Sequence, residues 1–540
     1  MRYFRSRLWD INSSFEDRRW VYVSYDQLNA GPFSLIGSDP RDVGIVLIES
    51  LSKGRRRTYH KQKLALLLAN QRQFALEQAE LGVAVLYLVA DSYEAGIRKA
   101  HAQIGVMECM EHAERELRQE LESVVDEGKL VVQANRLWLT TAQDFEVACS
   151  KGTWRMDRFY RVVRRQYNVL IDAAGRPVGG RWSFDADNRE RWNGTPKSPQ
   201  PLSFDPDRIV EEVCNDVETS FADHPGVLTP EALPTTADDA QALWKWAKAN
   251  CLEHFGTYED AMSVRSRTLF HTLVSSLMNL GRLTPVRLVN EVLAMDIPLN
   301  SKEGFVRQVL GWREFVRHVH VQSDGFRDLP ERLHGRVERD AAGSVNALGA
   351  ALPLPPAFWG VASGFNCLDQ TVAEVLETGY THHINRLMIL SNWAMLIGAS
   401  PRDLTDWFWV MFTDAYDWVV EPNVLGMGSF AASDIMSTKP YISGSAYLKR
   451  MSDYCSDCAF QPGVDCPMTS MYWNFLNRHQ ERLGSNPRMK LALTAASRRT
   501  DDQKRHEELV FYSVQDALTQ GARLVPEGQQ LHSPVLTHNG

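Results

Sequence analysis

A chain of 540 residues is too long for one ordinary core, so two or three domains are expected. Hydrophobic residues at 44% and charged residues at 23% give a globular composition, and a net charge of -8 excludes nucleic-acid binding by overall charge. Any such contact must come from a local basic surface. No apolar run reaches the roughly 20 residues that cross a bilayer, and the opening MRYFRSRLWDINSSFEDRRW lacks the apolar core of a signal peptide. A soluble, cytoplasmic protein is the expectation.

WVYVSY (20–25), GIVLIE (44–49) and VAVLYLV (83–89) are β-branched and aromatic runs that read as buried strands. Between the last two lies YHKQKLALLLANQRQFALEQAEL, apolar at helical spacing. Strand–helix–strand order predicts a parallel, Rossmann-type sheet in an α/β domain over 18–150. No GxGxxG follows the first strand, so a dinucleotide fingerprint is absent. Next, KGTWRMDRFYRVVRRQY sets Arg155, Arg158, Arg161, Arg164 and Arg165 mostly along one flank of a helix, either solvated or facing phosphate. From 172 to 238 the composition turns to Gly, Pro, Asp and Asn, with aromatics persisting. Residues 151–238 therefore read as a basic helix followed by a long, ordered linker. Residues 239–510 read as helical almost throughout. The tail 521–540 is polar and expected to be disordered.

Of eight cysteines, Cys109, Cys149, Cys214 and Cys251 are scattered singly and read as small core residues. The segment YCSDCAFQPGVDCP places Cys455, Cys458 and Cys466 in one compact loop that turns at Pro462 and Gly463. A fourth ligand must come from elsewhere, and Cys367 in SGFNCLDQ is the candidate. The spacing fits tetrahedral zinc or an iron–sulfur cluster, and Cys466–Pro467 leans weakly toward the latter.

The stretch 380–423 is dense in tryptophan, with Trp393, Trp407, Trp409 and Trp418. Such aromatics at helical spacing are ordinarily core. Here His382 and His383 precede them, and Arg386 and Asp414 are available as a buried ion pair. A buried pair is costly unless it serves something, and the polar edge of a flavin ring is one such service.

SKEGFVRQVLGWREFVRH (301–318) resembles the WRE-containing helix of photolyases and cryptochromes. YTHHINRLM, DAYDWV, PNVLGM, STKPY, RMSDYCSDC, CPMTSMYWNFL and VGGRWSFDADNR (178–189) are similar to the prokaryotic (6-4) photolyases, also called iron–sulfur bacterial cryptochromes and photolyases. SYDQL and YHKQKLALLLANQRQF resemble that family's antenna domain, so the likeness spans about residues 20 to 495. The resemblance implies an α/β antenna domain and an all-α C-terminal domain that binds FAD and a [4Fe–4S] cluster. The cluster would sit on Cys367, Cys455, Cys458 and Cys466 as a structural staple, and 6,7-dimethyl-8-ribityllumazine would bind through Asp26, Gln27 and Glu49. It further implies a monomer acting on UV-damaged DNA. There, light-excited reduced FAD gives an electron to a flipped-out (6-4) photoproduct, a histidine lends a proton, and the electron returns.

Position by position, His382 and His383 match the active-site histidines, with Tyr441, Met427 and Trp312 in the lesion pocket. Arg386 and Asp414 match the flavin-edge pair. His271, Thr272, Leu273 and Ser275 fall where the family binds the FAD phosphates, and Gln308, Trp312 and Arg313 line the same cavity. Trp407 and Trp359 match the electron relay. Three positions depart from the family. Phe408 replaces a usual tyrosine, so the relay must skip that position or detour through Trp409. Val420 stands at the position aligned with the flavin N5 neighbour, commonly glutamate. Tyr25 replaces a glycine before Asp-Gln-Leu and would crowd the lumazine or stack in its place. These departures leave a cryptochrome-type photoreceptor as the competing reading, and a non-photochemical iron–sulfur DNA-binding protein as a third.

Overall fold

The computed structural model describes residues 2–31 and 39–526, so most of the tail expected to be disordered lies outside the described residues. Five parallel strands form one sheet in the order β3–β2–β1–β4–β5. They are β1 (Arg19–Tyr22), β2 (Val43–Ser50), β3 (Ala84–Ala90), β4 (Met107–Met110) and β5 (Leu130–Gln133). Val21 stands opposite Ile45 on one side and Glu108 on the other. Ile45, Val46 and Leu47 are all fully buried, so consecutive residues on opposite faces of β2 are both covered. That is why the strand reads as an unbroken apolar run rather than an alternating one. The strand order reverses beside β1, a topological switch point that opens a crevice at the carboxyl ends of the strands.

Lys61–Glu80 is buried nearly all round, polar side chains included. It is the seam between the sheet and the helices that follow. Its polar groups are therefore closed by partners: the Lys63 ammonium donates to the carbonyls of Trp409 (2.6 Å) and Ala415 (2.5 Å), and Arg72 donates to Glu49 (2.8 Å) and Asp216 (3.0 Å). A second seam is backbone on backbone, where Leu28 N–H donates to the Leu280 carbonyl at 2.8 Å. Gly281 follows at φ 83°, and a Cβ there would lie 3.0 Å from the Leu28 nitrogen. Glycine fits both the left-handed backbone and the close approach.

Beyond Gln133 the described residues add helices and no further strand. The basic helix runs from Met156 to Gln166, and its arginines do not share one fate. Arg164 is buried and donates to the carbonyls of Val169, Leu170 and Trp182, while Arg155 donates to those of Asp434 and Ile435. Arg158, Arg161 and Arg165 remain exposed. The stretch read as a linker contains a helix, Arg208–Ser220, capped by the Asp207 carboxylate, which accepts from the backbone of Ile209 and Val210. Ile209, Val210, Val213 and Val217 form its buried stripe.

Three helices contain π turns, at Arg307–Arg313, Arg386–Ser391 and Glu421–Gly428. Such turns are rare and concentrate at functional sites. Among the described residues no helix is long and apolar enough to cross a membrane.

Candidate functional site

All three π turns converge on one cavity in the helical part. It is lined by His271, Thr272, Leu273, Ser275, Gln308, Trp312, Arg313, His383, Arg386 and Asp414, residues far apart in sequence and here brought together. Asn279, Tyr380, Trp418 and Asn423 also line it.

Its electrostatic centre is a two-pronged ion pair in which both terminal nitrogens of Arg386 reach Asp414 at 3.0 Å. Parallel N–H···O bonds fix orientation as well as charge. Ser275 Oγ donates to the same carboxylate at 2.7 Å, and Asn279 donates to the Asp414 carbonyl at 2.8 Å. Burial opposes ionisation of Asp414, but Arg386, Ser275 and Lys63 outweigh it and hold the carboxyl below its ordinary range.

The histidines are arranged differently. The rings of His271 and His382 stack at 4.5 Å, nearly parallel at 11°, and His383 meets His271 edge-on at 5.4 Å. Both His382 ring nitrogens and Nε2 of His271 are buried with no hydrogen-bond partner. Burial, reinforced by the neighbouring imidazoles and Arg386, pushes both groups well below the ordinary histidine pKa, so they are neutral near pH 7. His383 is the accessible member, 44% exposed, with Nε2 3.7 Å from Asp260. Burial raises the Tyr441 phenol, and the charges of Asp185, Arg189, Arg488 and Asp260 act on it more weakly.

Val420, aligned with the flavin-facing position, is turned into the core and does not line the cavity. Asn423, on the following π turn, lines it instead, with its amide N–H donating to the Val419 carbonyl at 2.8 Å. Met427, on the same turn, is half-buried outside the lining. Asn279 carries no motif, and Asn423 lies in PNVLGM but is not singled out by it. What could have marked them is a polar side chain on a helix otherwise rich in apolar residues.

Of the aromatic relay, Trp407 is buried and donates its indole N–H to the Phe358 carbonyl at 2.9 Å, next to Trp359, which is 45% exposed. Phe412 stands between Trp407 (5.8 Å) and the Arg386 guanidinium (4.3 Å). The Trp409 ring lies 4.0 Å from the Arg57 guanidinium and walls a different cavity.

That second cavity lies in the crevice at the carboxyl ends of the strands. Glu49, Val89, Gln71, Trp409 and Tyr416 line it, together with Tyr25 and Glu114. Of the three antenna candidates only Glu49 is there, already engaged by Arg72 and Tyr87. Asp26 accepts from Ser24 at 2.5 Å, and Gln27 donates to the Glu111 carbonyl at 3.0 Å, both away from the lining. The Tyr25 hydroxyl donates to Glu114, and its ring lies near-parallel to Tyr416 at 6.3 Å. Gln71 is buried with neither end of its carboxamide partnered.

A third, nearly closed cavity of about 20 Å³ is lined by all four singled-out cysteines. Cys367 comes from the helix Asn366–Thr378 and the others from the 455–466 loop. Phe365, Trp393, Tyr454 and Phe460 complete the walls. Burial raises the thiols of Cys367 and Cys466, the latter to about 11. Among the described residues no group of three or more His, Cys, Asp or Glu side chains is placed to hold a metal ion. Cys109, Cys149, Cys214 and Cys251 are buried core residues, as expected.

Residues 21–233 match the family described as deoxyribodipyrimidine photo-lyase-related protein. A protein of Agrobacterium fabrum named (6-4) photolyase is 32% identical over 503 residues, which covers 89% of this chain and 96% of that protein. The uncharacterized protein R855 of Acanthamoeba polyphaga mimivirus is 29% identical over 123 residues, or 23% of this chain and 92% of the viral protein. In fold, the chain is similar to a bacterial class III photolyase from Agrobacterium tumefaciens (TM-score 0.53, 16% identity, 93% of this chain and 99% of that one). It is also similar to an archaeal photolyase from Sulfolobus tokodaii (TM-score 0.50, 10% identity, 94% and 96%). With near-complete coverage of a relative above 30% identity, and the photolyase fold beneath it, this chain belongs to the (6-4) photolyase family.

Proposed function

We propose that this protein repairs (6-4) photoproducts in DNA with light, using FAD held in the cavity of the π turns. The observation that carries this reading is the His271–His382 stack, which sets unpartnered, neutral imidazoles beside a satisfied Arg386–Asp414 pair. Unpaired buried donors and acceptors are costly, and a bound ligand is what offsets that cost. Held by Arg386, Asp414 and the residues lining this cavity, a flavin would supply light-driven, reversible one-electron chemistry toward the lesion. Arg386 and Asp414 orient the ring edge, and Ser275 and Asn279 hold Asp414 in place. His382 and His383 flank the lesion. An imidazole lends a proton from its protonated form and regains it, and His383, with Nε2 3.7 Å from Asp260, has a carboxylate beside it to face that charge. Tyr441 and Met427 would wall the flipped base, and the exposed Arg189 and Arg488 would take phosphates.

A [4Fe–4S] cluster suits the cysteine cavity, because four thiols from two separate segments line it among aromatic walls. On this reading the cluster ties the Asn366–Thr378 helix to the 455–466 loop. The crevice at the strand ends, with Gln71 unpartnered and Tyr25, Trp409 and Tyr416 as flat walls, suits a planar antenna such as the lumazine. Glu49 and Gln71 would hold it there, in place of Asp26 and Gln27. The antenna and catalytic units then correspond to residues 18–150 and 239–510.

The test is repair of an oligonucleotide with one (6-4) lesion by the purified, reduced protein under blue light. Repair is expected, and His382→Asn is expected to slow it by about 10²–10⁴-fold at unchanged flavin content. Flavin-loaded protein that leaves the lesion untouched would sink the proposal.

A further inference from the structure

Trp393 is fully buried in the helical run that begins with His383 and carries Arg386. Its indole N–H donates to Sγ of Cys367 at 3.4 Å. Its ring stacks on Phe365 (4.5 Å, 21°), and Phe365 in turn meets Phe460 at 5.1 Å. Indole nitrogen is a donor only, and a buried tryptophan ordinarily gives its proton to an oxygen, as Trp407 does to Phe358. Trp393 gives it to a sulfur in the cysteine cavity.

We infer that Trp393 is a positioning residue for the iron–sulfur cluster, raising its reduction potential through the indole N–H bonded to Cys367. This presupposes the cluster reading above. On reduction the cluster gains one negative charge, shared with its ligand sulfurs. A hydrogen bond to a ligand sulfur stabilises the more negative state more strongly, and so makes reduction easier. Aromatic walls keep the bond in low dielectric, where it is strongest. Packing explains a large ring at this position. It does not explain why the N–H edge points at the sulfur.

The test compares three chains purified anaerobically with their flavin: wild type, Trp393→Phe, and a chain in which an isostere of Trp393 carries sulfur in place of the ring N–H. Iron and acid-labile sulfide are counted first. The cluster is then titrated against an electrode with soluble mediators and followed by electron paramagnetic resonance. Both altered chains are expected to show the reduced-to-oxidised ratio about tenfold lower at a fixed potential, about 59 mV for a one-electron couple, with flavin content unchanged. If the Phe variant loses its cluster through lost packing, the isostere decides, since it keeps the shape and lacks only the N–H. Cluster-loaded isostere protein titrating at the wild-type potential overturns the inference. Wild-type protein without iron and sulfide overturns the cluster reading, and the role of Trp393 with it.

Discussion

The cavity around Arg386 and Asp414 draws its walls from segments scattered between residues 255 and 423, whereas the cysteine cavity takes three of its four thiols from residues 455–466. The first is held by hydrogen bonds and one ion pair, so its integrity depends on charge state. The second is held by sulfur, so its integrity depends on what the sulfurs bind. Dependence of the first on pH and of the second on thiol chemistry is what sets the two sites apart.

The largest effect is expected from the thiols. On the proposed cluster reading Cys458→Ala removes a ligand, and it is expected to cost most of the soluble yield, while flavin photoreduction in the surviving protein stays near wild type. Wild-type yield with lost photoreduction would reverse the roles assigned to the two cavities. Next comes Asp414→Ala, which leaves the half-buried Arg386 without its partner. Breaking such a pair costs about 3–5 kcal/mol, readable as a lowered urea midpoint at pH 7. A loss below about 1 kcal/mol would place the pair in the class of solvent-screened surface bridges.

Acidification probes the same side of the comparison. Burial lowers His60 to about 4 and His112, His318 and His479 to about 3, and it pushes His271 and His382 down as well. These folded values lie below the unfolded value near 6.5, so below that pH the unfolded chain binds more protons than the folded one. Stability is therefore complete above about pH 6.5 and is lost as pH falls toward the folded values, by up to about 1.4 kcal/mol per pH unit for each such imidazole. Unfolding midpoints measured from pH 7.5 to 5.0 check this, and a flat profile would contradict the burial. The smallest effect belongs to Trp409→Phe. It is expected to leave flavin photoreduction unchanged where Trp407→Phe slows it, because Trp409 walls the strand-end crevice.

The parts legible in the sequence were those whose signal is local. The first three strands show because β2 and its neighbours are buried on both faces. β4 and β5 do not: they are four residues each, and Val131 and Val132 are exposed. The cysteine loop shows through its spacing. The Arg208–Ser220 helix was hidden by the Gly, Pro and Asp around it, although the Asp207 cap and the stripe from Ile209 to Val217 were there to read. Val420 followed from alignment alone; it packs into the core, while Val419 and Asn423, four residues apart on one helix face, line the cavity. Asp26 and Gln27 followed from the resemblance, and the backbone after β1 turns both away from the crevice lining.

Each π turn holds one residue more than an α-helix would need at that place. Deleting a residue from any of the three would restore α-helical phase and rotate the rest of that helix by about 100°. The rotation would swing away whatever the downstream face presents: Trp393 beyond Arg386–Ser391, or His318 and His320 beyond Arg307–Arg313. Variation among related chains is therefore expected to exchange side chains within these segments and to leave their residue count alone, with insertions and deletions confined to the loops between them.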